Sequence, residues 1–269
     1  MSAFELFLFS TDPETVSRYT EAGVDGFIVD WESKGKDARQ AGADTEINKD
    51  TPEDLRRVRA ATNARLLCRL NQSGPWTPGE VEEAVAGGAD ELLIPMVRGP
   101  EEVLETIRLA AGRCGVGILI ETVDAVRHAA QLARLPISRA YVGLNDLSIE
   151  RRSRSIFEPF TNGLVDGIRP LFAVPFGLAG LTLPECGRPI PCRLLIGEMS
   201  RLKCGFSFLR RSWRRDVLAH DPRVEVPRLK AALESASRRD AEVIARDRDM
   251  LVEAVAAAIR VDGAPKGQP

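Results

Sequence analysis

The chain has 269 residues, a formal net charge of −2 and a pI near 5.9, a balance that gives no global case for a nucleic-acid or membrane-surface partner. Its five cysteines (Cys68, Cys114, Cys186, Cys192 and Cys204) are scattered and contain no CxxC pair, so they read as reduced thiols of a cytoplasmic protein, not as a disulfide framework. No apolar run approaches the ~18 residues of a membrane span, and the run over 4–9 is too short, and too poor in preceding basic residues, for a signal-peptide core.

In chain order, residues 4–9 form the first strand-like run, and Asp12-Pro13-Glu14 opens a helix that Gly23 ends. A second strand is predicted over 26–30. Thr51-Pro52-Glu53-Asp54 then combines a cap residue, a proline at the first helical position and acids in the first turn. A strand over 65–70 precedes Thr77-Pro78-Gly79-Glu80, which repeats the theme and runs to Gly87 and Gly88. The strand over 91–95 is followed by Gly99-Pro100-Glu101-Glu102 and a helix ending at Gly112. Further strands are predicted over 116–120, 139–143, 176–181 and 204–209. Most are Val/Ile/Leu/Phe-rich without polar alternation, the pattern of strands covered on both faces. Eight such strands with helices between them predict a (β/α)8 TIM barrel, whose typical length of about 250 residues matches this chain.

Residues 1–222 suffice for the barrel. Residues 223–262 form a charged and apolar helical extension expected to pack on the barrel or on a neighbouring subunit, which predicts a homo-oligomer; a stable monomer in light scattering would count against it. Residues 263–269 read as a disordered tail. No repeat of 20–50 residues is apparent.

A barrel enzyme collects its chemistry from the C-terminal ends of several strands. Here those ends are polar: Asp30-Trp31-Glu32, Arg69-Leu70-Asn71, Pro95-Met96-Val97-Arg98, Glu121, Asn145-Asp146, then Thr182, Glu185 and Arg188 after strand seven, and Arg210-Arg211 after strand eight. Glu121 and Asp146 each follow an apolar run, and the two runs are separated by a helix-length segment. That places two carboxylates at the same end of neighbouring strands and suggests a hard divalent cation. Taken singly, Asp146 also reads as a helix cap.

The ordered set of motifs resembles the HpcH/HpaI aldolase and citrate lyase β-subunit family, metal-dependent carbon–carbon lyases on a (β/α)8 barrel of the phosphoenolpyruvate/pyruvate-domain type. Gly23-Val24-Asp25-Gly26-Phe27-Ile28-Val29-Asp30-Trp31-Glu32 resembles its AG-D-hhhD-x-E strand, and Arg69-Leu70-Asn71 its R-x-N strand. Gly88-Ala89-Asp90-Glu91-Leu92-Leu93-Ile94-Pro95-Met96-Val97 is similar to GA-hhhPMV, Ile120-Glu121-Thr122 to IET, and Gly143-Leu144-Asn145-Asp146-Leu147-Ser148 to G-x-x-DLS. The resemblance implies that Glu121 and Asp146 ligate Mg²⁺ (or Mn²⁺ or Co²⁺) and that Arg69 contacts the carboxylate and enolate oxygens of a pyruvate-like unit. These roles suit a small-molecule oxo-acid substrate, whose developing charge a cation and a guanidinium stabilise in a dry site. Asn71 and Asn145 are expected to bind substrate.

Two departures stand out. The aldolase branch has a histidine after D-x-E, where this chain has Ser33, and the acid of the citrate lyase branch is missing there too. Lys34, Lys36 and Arg39 are similar to the basic stretch of the lyase branch, whereas Met96 follows the aldolase pattern. The proton acceptor is therefore open between a metal-bound water, Asp30 and Glu32. Beyond residue 150 neither branch matches. The Pro-rich stretch 182–192 is expected over the barrel mouth, making Arg188, Arg210 and Arg211 candidates to hold the distal anion of the substrate.

Other motifs carry less. His128 and His220 do not stand at strand ends, so neither supports nucleophilic or general-base chemistry. Cys186 and Cys192 lack the second pair of a zinc site, Gly115-Val116-Gly117 precedes a strand instead of following one, and Arg210-Arg211-Ser212-Trp213-Arg214-Arg215 is one short basic run in an acidic chain. The reading is a carbon–carbon lyase of the class II aldolase type, joining or parting a pyruvate enolate and an aldehyde or oxo compound. Its alternatives are an enzyme acting on an acyl-CoA thioester, in the manner of citrate lyase or malyl-CoA lyase, and a barrel that binds a small acid without turnover.

Overall fold

The computed structural model describes residues 4–35 and 50–262. Eight parallel strands close a barrel in chain order: β1 (Glu5–Phe9), β2 (Gly26–Asp30), β3 (Arg65–Arg69), β4 (Glu91–Ile94), β5 (Gly115–Ile120), β6 (Arg139–Val142), β7 (Phe176–Leu181) and β8 (Phe206–Leu209). β1 pairs with both β2 and β8, which seals the sheet without an edge. The predicted strands and the observed ones differ by at most two residues at their ends.

The missing polar alternation has a direct cause. Successive strand residues point to opposite faces, and both faces are apolar here. Phe7, Phe9, Ile28, Leu67, Leu93, Leu119, Tyr141, Phe206 and Phe208 form the interior cluster. Their neighbours, such as Leu6, Leu8, Phe27, Val29, Leu66 and Leu92, belong to the larger layer between strands and helices. The interior is rich in aromatic rings: Phe7 meets Phe206 edge-on at 6.0 Å, Phe9 meets Phe208 at 5.5 Å, and Tyr141 stacks on Phe208 at 4.0 Å. At the N-terminal end of the barrel, Arg139 is buried between the Phe7 and Phe206 rings, 4.6 and 4.7 Å from their centroids. Its Nε donates to both Glu91 oxygens at 2.7 and 2.8 Å. In barrels of this fold, polar residues at that end serve stability, and active sites are built at the opposite mouth.

The helices begin largely where the sequence places them. α1 (Pro13–Glu21) is capped by Asp12, which accepts from Thr15 N at 2.9 Å. α2 (Pro52–Ala61) has a reciprocal cap between Thr51 and Asp54. α3 (Thr77–Ala86) differs from the repeated theme: Trp76 occupies the cap position, and Thr77 lies inside the helix while its Oγ1 accepts from Gly74 N at 2.9 Å. α4 (Pro100–Ala110) starts after Gly99, and Glu102 accepts from Gly99 N at 2.9 Å. Two short helices, α5 (Val123–Arg127) and α6 (Ala129–Leu132), separate β5 from β6. α7 (Leu144–Arg151), α8 (Glu158–Thr161), α9 (Leu164–Ile168) and a 3₁₀ turn over Arg169–Leu171 fill the longer β6–β7 connection. α10 (Cys192–Arg201) joins β7 to β8, and α11 (Arg211–Val217), α12 (Pro222–Ser237) and α13 (Ala241–Asp262) follow β8.

α12 and α13 both pack on α10. Arg201 and Arg248 share the carboxylates of Glu198 and Asp166, with Arg201 2.6 Å from Asp166 and Arg248 2.5 Å from Glu198, and Arg239 donates to Gly197 O at 2.7 Å. The predicted tail, 263–269, lies outside the described residues, as do Lys36 and Arg39. Among the described residues, no helix is long and apolar enough to cross a membrane.

Candidate functional site

A cavity of about 780 Å³ opens at the C-terminal mouth of the barrel. Arg69, Glu121, Asn145, Asp146, Arg188, Arg210 and Arg211 all line it, although they come from five different strand ends and their loops. Asp30, Glu32 and Asn71 do not line it.

Arg69 ends β3 and is nearly inaccessible to solvent. Asp30, at the end of the adjacent β2, receives it in a bidentate pair: Nε donates to Oδ1 at 2.7 Å and a terminal nitrogen to Oδ2 at 2.6 Å. The register of β2 against β3 sets Asp30 directly opposite Arg69. The other terminal nitrogen lies 3.3 Å from Glu32, and the guanidinium sits 5.5 Å from the Phe9 ring. Burial works against the charge on Arg69, but Asp30 and Glu32 outweigh it and hold its pKa well above the usual value. Asp30 is held from behind: its backbone N–H donates to Asp50 at 2.8 Å. Burial pushes the Asp50 carboxyl up to about 6, partly offset by that hydrogen bond. The result is a cation fixed in orientation before any ligand arrives.

Glu121 follows β5 and is buried. Its Oε1 accepts from Met96 N at 2.9 Å, and Met96 itself adopts a left-handed conformation, φ 54°. Burial, then the neighbouring Asp146 and Glu32, push the Glu121 carboxyl up to about 8, against the opposing pull of Arg69 and the Met96 N–H. Asp146 lies in the first turn of α7, and Gly143 holds the cap position, so the cap reading of Asp146 does not describe this helix. Gly143 also makes room for its neighbour, since a Cβ there would overlap Glu121 Oε2. Gly143→Ala is therefore expected to displace the Glu121 carboxylate and lower any Glu121-dependent activity by at least ~10-fold, an overpacking effect. Activity assays alongside thermal melting check this; unchanged activity in a folded variant would show that the carboxylate's position is unimportant.

The donor set can be tested against a divalent ion. Among the described residues, no group of three or more His, Cys, Asp or Glu side chains could hold a metal. Glu121 and Asp146 are two buried carboxylates, the second of which helps to raise the Glu121 carboxyl, and hard cations accept such oxygens while leaving further positions for substrate or water. The pair fits an open Mg²⁺- or Mn²⁺-type site and not a closed, protein-only one.

The remaining expected residues divide. Asn71 is engaged in structure: its Oδ1 accepts from Ser33 N and Lys34 N at 2.9 and 2.8 Å, and its Nδ2 donates to Glu80 at 2.7 Å. Arg210 lies over the Phe9 ring at 4.7 Å, on the side wall of the mouth. Glu185 pairs with Arg228 at 2.9 Å, and Thr182 donates to Asp216 at 2.6 Å, so both belong to the frame around the loop. His128 contacts Arg98 O at 2.8 Å, and His220 is 3.5 Å from Glu225.

Sequence reasoning missed four contributors. Phe9 supplies a ring to two arginines, Tyr141 lines the interior wall, Gly143 makes room for Glu121, and Asp50 braces Asp30. Each reads locally as an ordinary strand, turn or pre-helix residue. Only the position of Phe9 and Gly143 at the end of a strand's apolar run offered a signal.

No protein-family model matches the chain, and no curated protein sequence matches it. Solved structures share its fold. A variant of the citrate synthase SbnG superposes with a TM-score of 0.53 at 16% identity, covering 88% of this chain and 95% of that one. RipC from Yersinia pestis superposes with a TM-score of 0.54 at 13% identity, covering 90% and 98%. At such identities the likeness establishes the (β/α)8 barrel along nearly its whole length.

Proposed function

We propose that the chain is a divalent-cation-dependent carbon–carbon lyase that forms or breaks a bond between a pyruvate-type enolate and a carbonyl compound. One observation carries this reading: the buried side chains of Glu121, Asp146 and an Arg69 oriented by Asp30 and Glu32 share one mouth cavity. Glu121 and Asp146 would hold a Mg²⁺ or Mn²⁺ ion, which when bound supplies Lewis-acid stabilisation of negative charge on substrate oxygens. Arg69 binds the carboxylate of the oxo acid and stabilises charge developing on its keto oxygen, and its fixed position makes that stabilisation cheap in reorganisation. Both Asp30 oxygens accept from Arg69, and Oδ1 also accepts from Glu32 N at 3.2 Å, which suits a positioning role better than a proton relay. Arg188 and Arg211, with Arg210 beside Phe9, would meet an anionic group at the far end of the second substrate.

A second reading, action on an acyl-CoA thioester, draws support from the cavity itself. At about 780 Å³, with Arg215 joining Arg188, Arg210 and Arg211 in its lining, it has room and positive charge for a large anionic acyl carrier. SbnG, a citrate synthase by name, has the same fold.

The test is deuterium exchange into the methyl group of pyruvate, followed by proton NMR in D₂O with Mg²⁺ or Mn²⁺. Exchange that requires both the cation and Glu121 is expected. Its absence with every divalent cation would move weight to thioester substrates, for which exchange at the α-carbon of acetyl-CoA is the parallel assay; absence of both would leave no lyase.

A further inference from the structure

The C-terminal half of β7 is built unlike the other strands. Its pairing with β8 runs from Gly177 opposite Phe206 to Gly180 opposite Phe208, three residues against two, so β7 carries one extra residue. Ala179 absorbs it with a left-handed backbone, φ 53°. An alanine in that region is strained, and surrounding contacts must hold it there. They do: the Ala179 carbonyl accepts from Tyr141 Oη at 2.9 Å and from Ser207 Oγ at 2.8 Å, side chains of the strands on either side. Bulges of this kind re-aim a strand end beside an active site.

Gly180, which closes the bulge, is not required to be glycine by packing or by its own backbone. Packing explains the other strand glycines. A Cβ on Gly26 would overlap Arg65 O, one on Gly117 would come within 2.8 Å of Arg139 and Leu93, one on Gly177 within 2.7 Å of Phe206 O, and one on Gly115 within 3.0 Å of Ser138. A Cβ on Gly180 would meet only Phe208 O, at an ordinary 3.5 Å, and its φ does not call for glycine. Gly180 is also the one partly exposed residue of β7, and both it and Ala179 line the mouth cavity. A strand glycine marks a bulge or a place where another molecule approaches the main chain, and the left-handed position of this bulge is filled by Ala179, which leaves close approach as the role of Gly180.

We propose that Ala179 and Gly180 form the wall of the acceptor subsite, and that the missing side chain at Gly180 sets the size of carbonyl compound admitted. This rests on the lyase reading of the mouth cavity. The enolate half belongs to Arg69, Glu121 and Asp146; the second substrate lies along the bulged end of β7, with its distal anion toward Arg188 and Arg211. The inferred class is an aldehyde or oxo acid with a chain of several carbons and a terminal anionic group.

The experiment compares the full-length protein with Gly180→Val in three assays. Pyruvate methyl exchange is expected to stay within about threefold of the parent, since the variant leaves the enolate half intact. Condensation of pyruvate with succinic semialdehyde should fall ~10-fold or more relative to condensation with glyoxylate, the scale of discrimination that one or two methylenes produce. Calorimetric titration with malonate, succinate, glutarate and adipate should show the longest acid bound becoming shorter in the variant. If valine lowers the melting temperature appreciably, Gly180→Ala carries the same comparison with a smaller shift. An unchanged acceptor ratio and an unchanged length limit overturn the proposal, as does a loss of pyruvate exchange equal to the loss of condensation. If the parent shows no exchange, the lyase reading fails on its own, and the dicarboxylate series decides the subsite: a shifted limit supports it, while no shift, or no binding to the parent, overturns it.

Discussion

Replacing Arg69 by methionine is expected to lower pyruvate exchange by at least ~10²-fold, the scale of removing one preorganised charge-stabilising donor, and to destabilise the fold by about 3–5 kcal/mol, the scale of breaking a buried ion pair on one side. The second effect follows from what remains. Asp30 is wholly inaccessible and Glu32 nearly so, and both direct oxygens at the guanidinium. Without it, two carboxylates stay buried beside Glu121, whose own ionisation Glu32 already disfavours. Lysine is a poor substitute, because a point charge cannot reproduce the fork that Asp30 grips at 2.7 and 2.6 Å. Urea denaturation gives the stability, and NMR gives the exchange. The two losses separate in Arg69→Met/Asp30→Asn, which should regain part of the stability and none of the exchange. A single variant as stable as the parent would mean that the ion cluster is held otherwise, and one with full exchange would remove Arg69 from the chemistry.

The parts of this molecule that are legible in its sequence are those governed by one strand at a time. Burial on both barrel faces turns each strand into an uninterrupted apolar run, and the first polar residues after a run stand at the mouth; Arg69, Glu121 and Asp146 stand out for that reason. What depends on two strands at once is not visible. Asp30 reads as a reactive acid until the β2–β3 register sets it against Arg69. Asn71 reads as a ligand residue until Ser33, Lys34 and Glu80 occupy it. Arg139 and Glu91, charged residues in otherwise apolar strands, make sense only as partners across the barrel floor. The β7 bulge has only a weak local signature, the two glycines of Phe176-Gly177-Leu178-Ala179-Gly180-Leu181, and the side chains that pin it lie 38 residues before and 28 after.

Glu121→Gln is expected to abolish metal-dependent exchange while making the metal-free protein more stable at alkaline pH. The sign follows from the direction of the shift. Burial, Asp146 and Glu32 raise the Glu121 carboxyl from an ordinary 4.5 to about 8 in the folded protein. A group whose folded pKa is raised contributes its full stability below the unfolded value; that contribution is lost as pH rises, because the unfolded chain ionises first and the loss is complete only above the folded value. At about 1.4 kcal/mol per pKa unit, the parent in a chelator should lose a few kcal/mol between pH 4.5 and about 8 through this group. Glutamine keeps the shape and the contact with Met96 N but has no charge to bury, so its melting temperature should fall less over the same range. Mn²⁺ or Mg²⁺ should then raise the melting temperature of the parent at pH 8 and leave the variant largely unmoved, because the ion neutralises the charge that glutamine lacks. Parallel pH curves would show that Glu121 is not the titrating group. Equal stabilisation of both proteins by the cation would place the metal elsewhere, and with it the lyase chemistry assigned to this mouth.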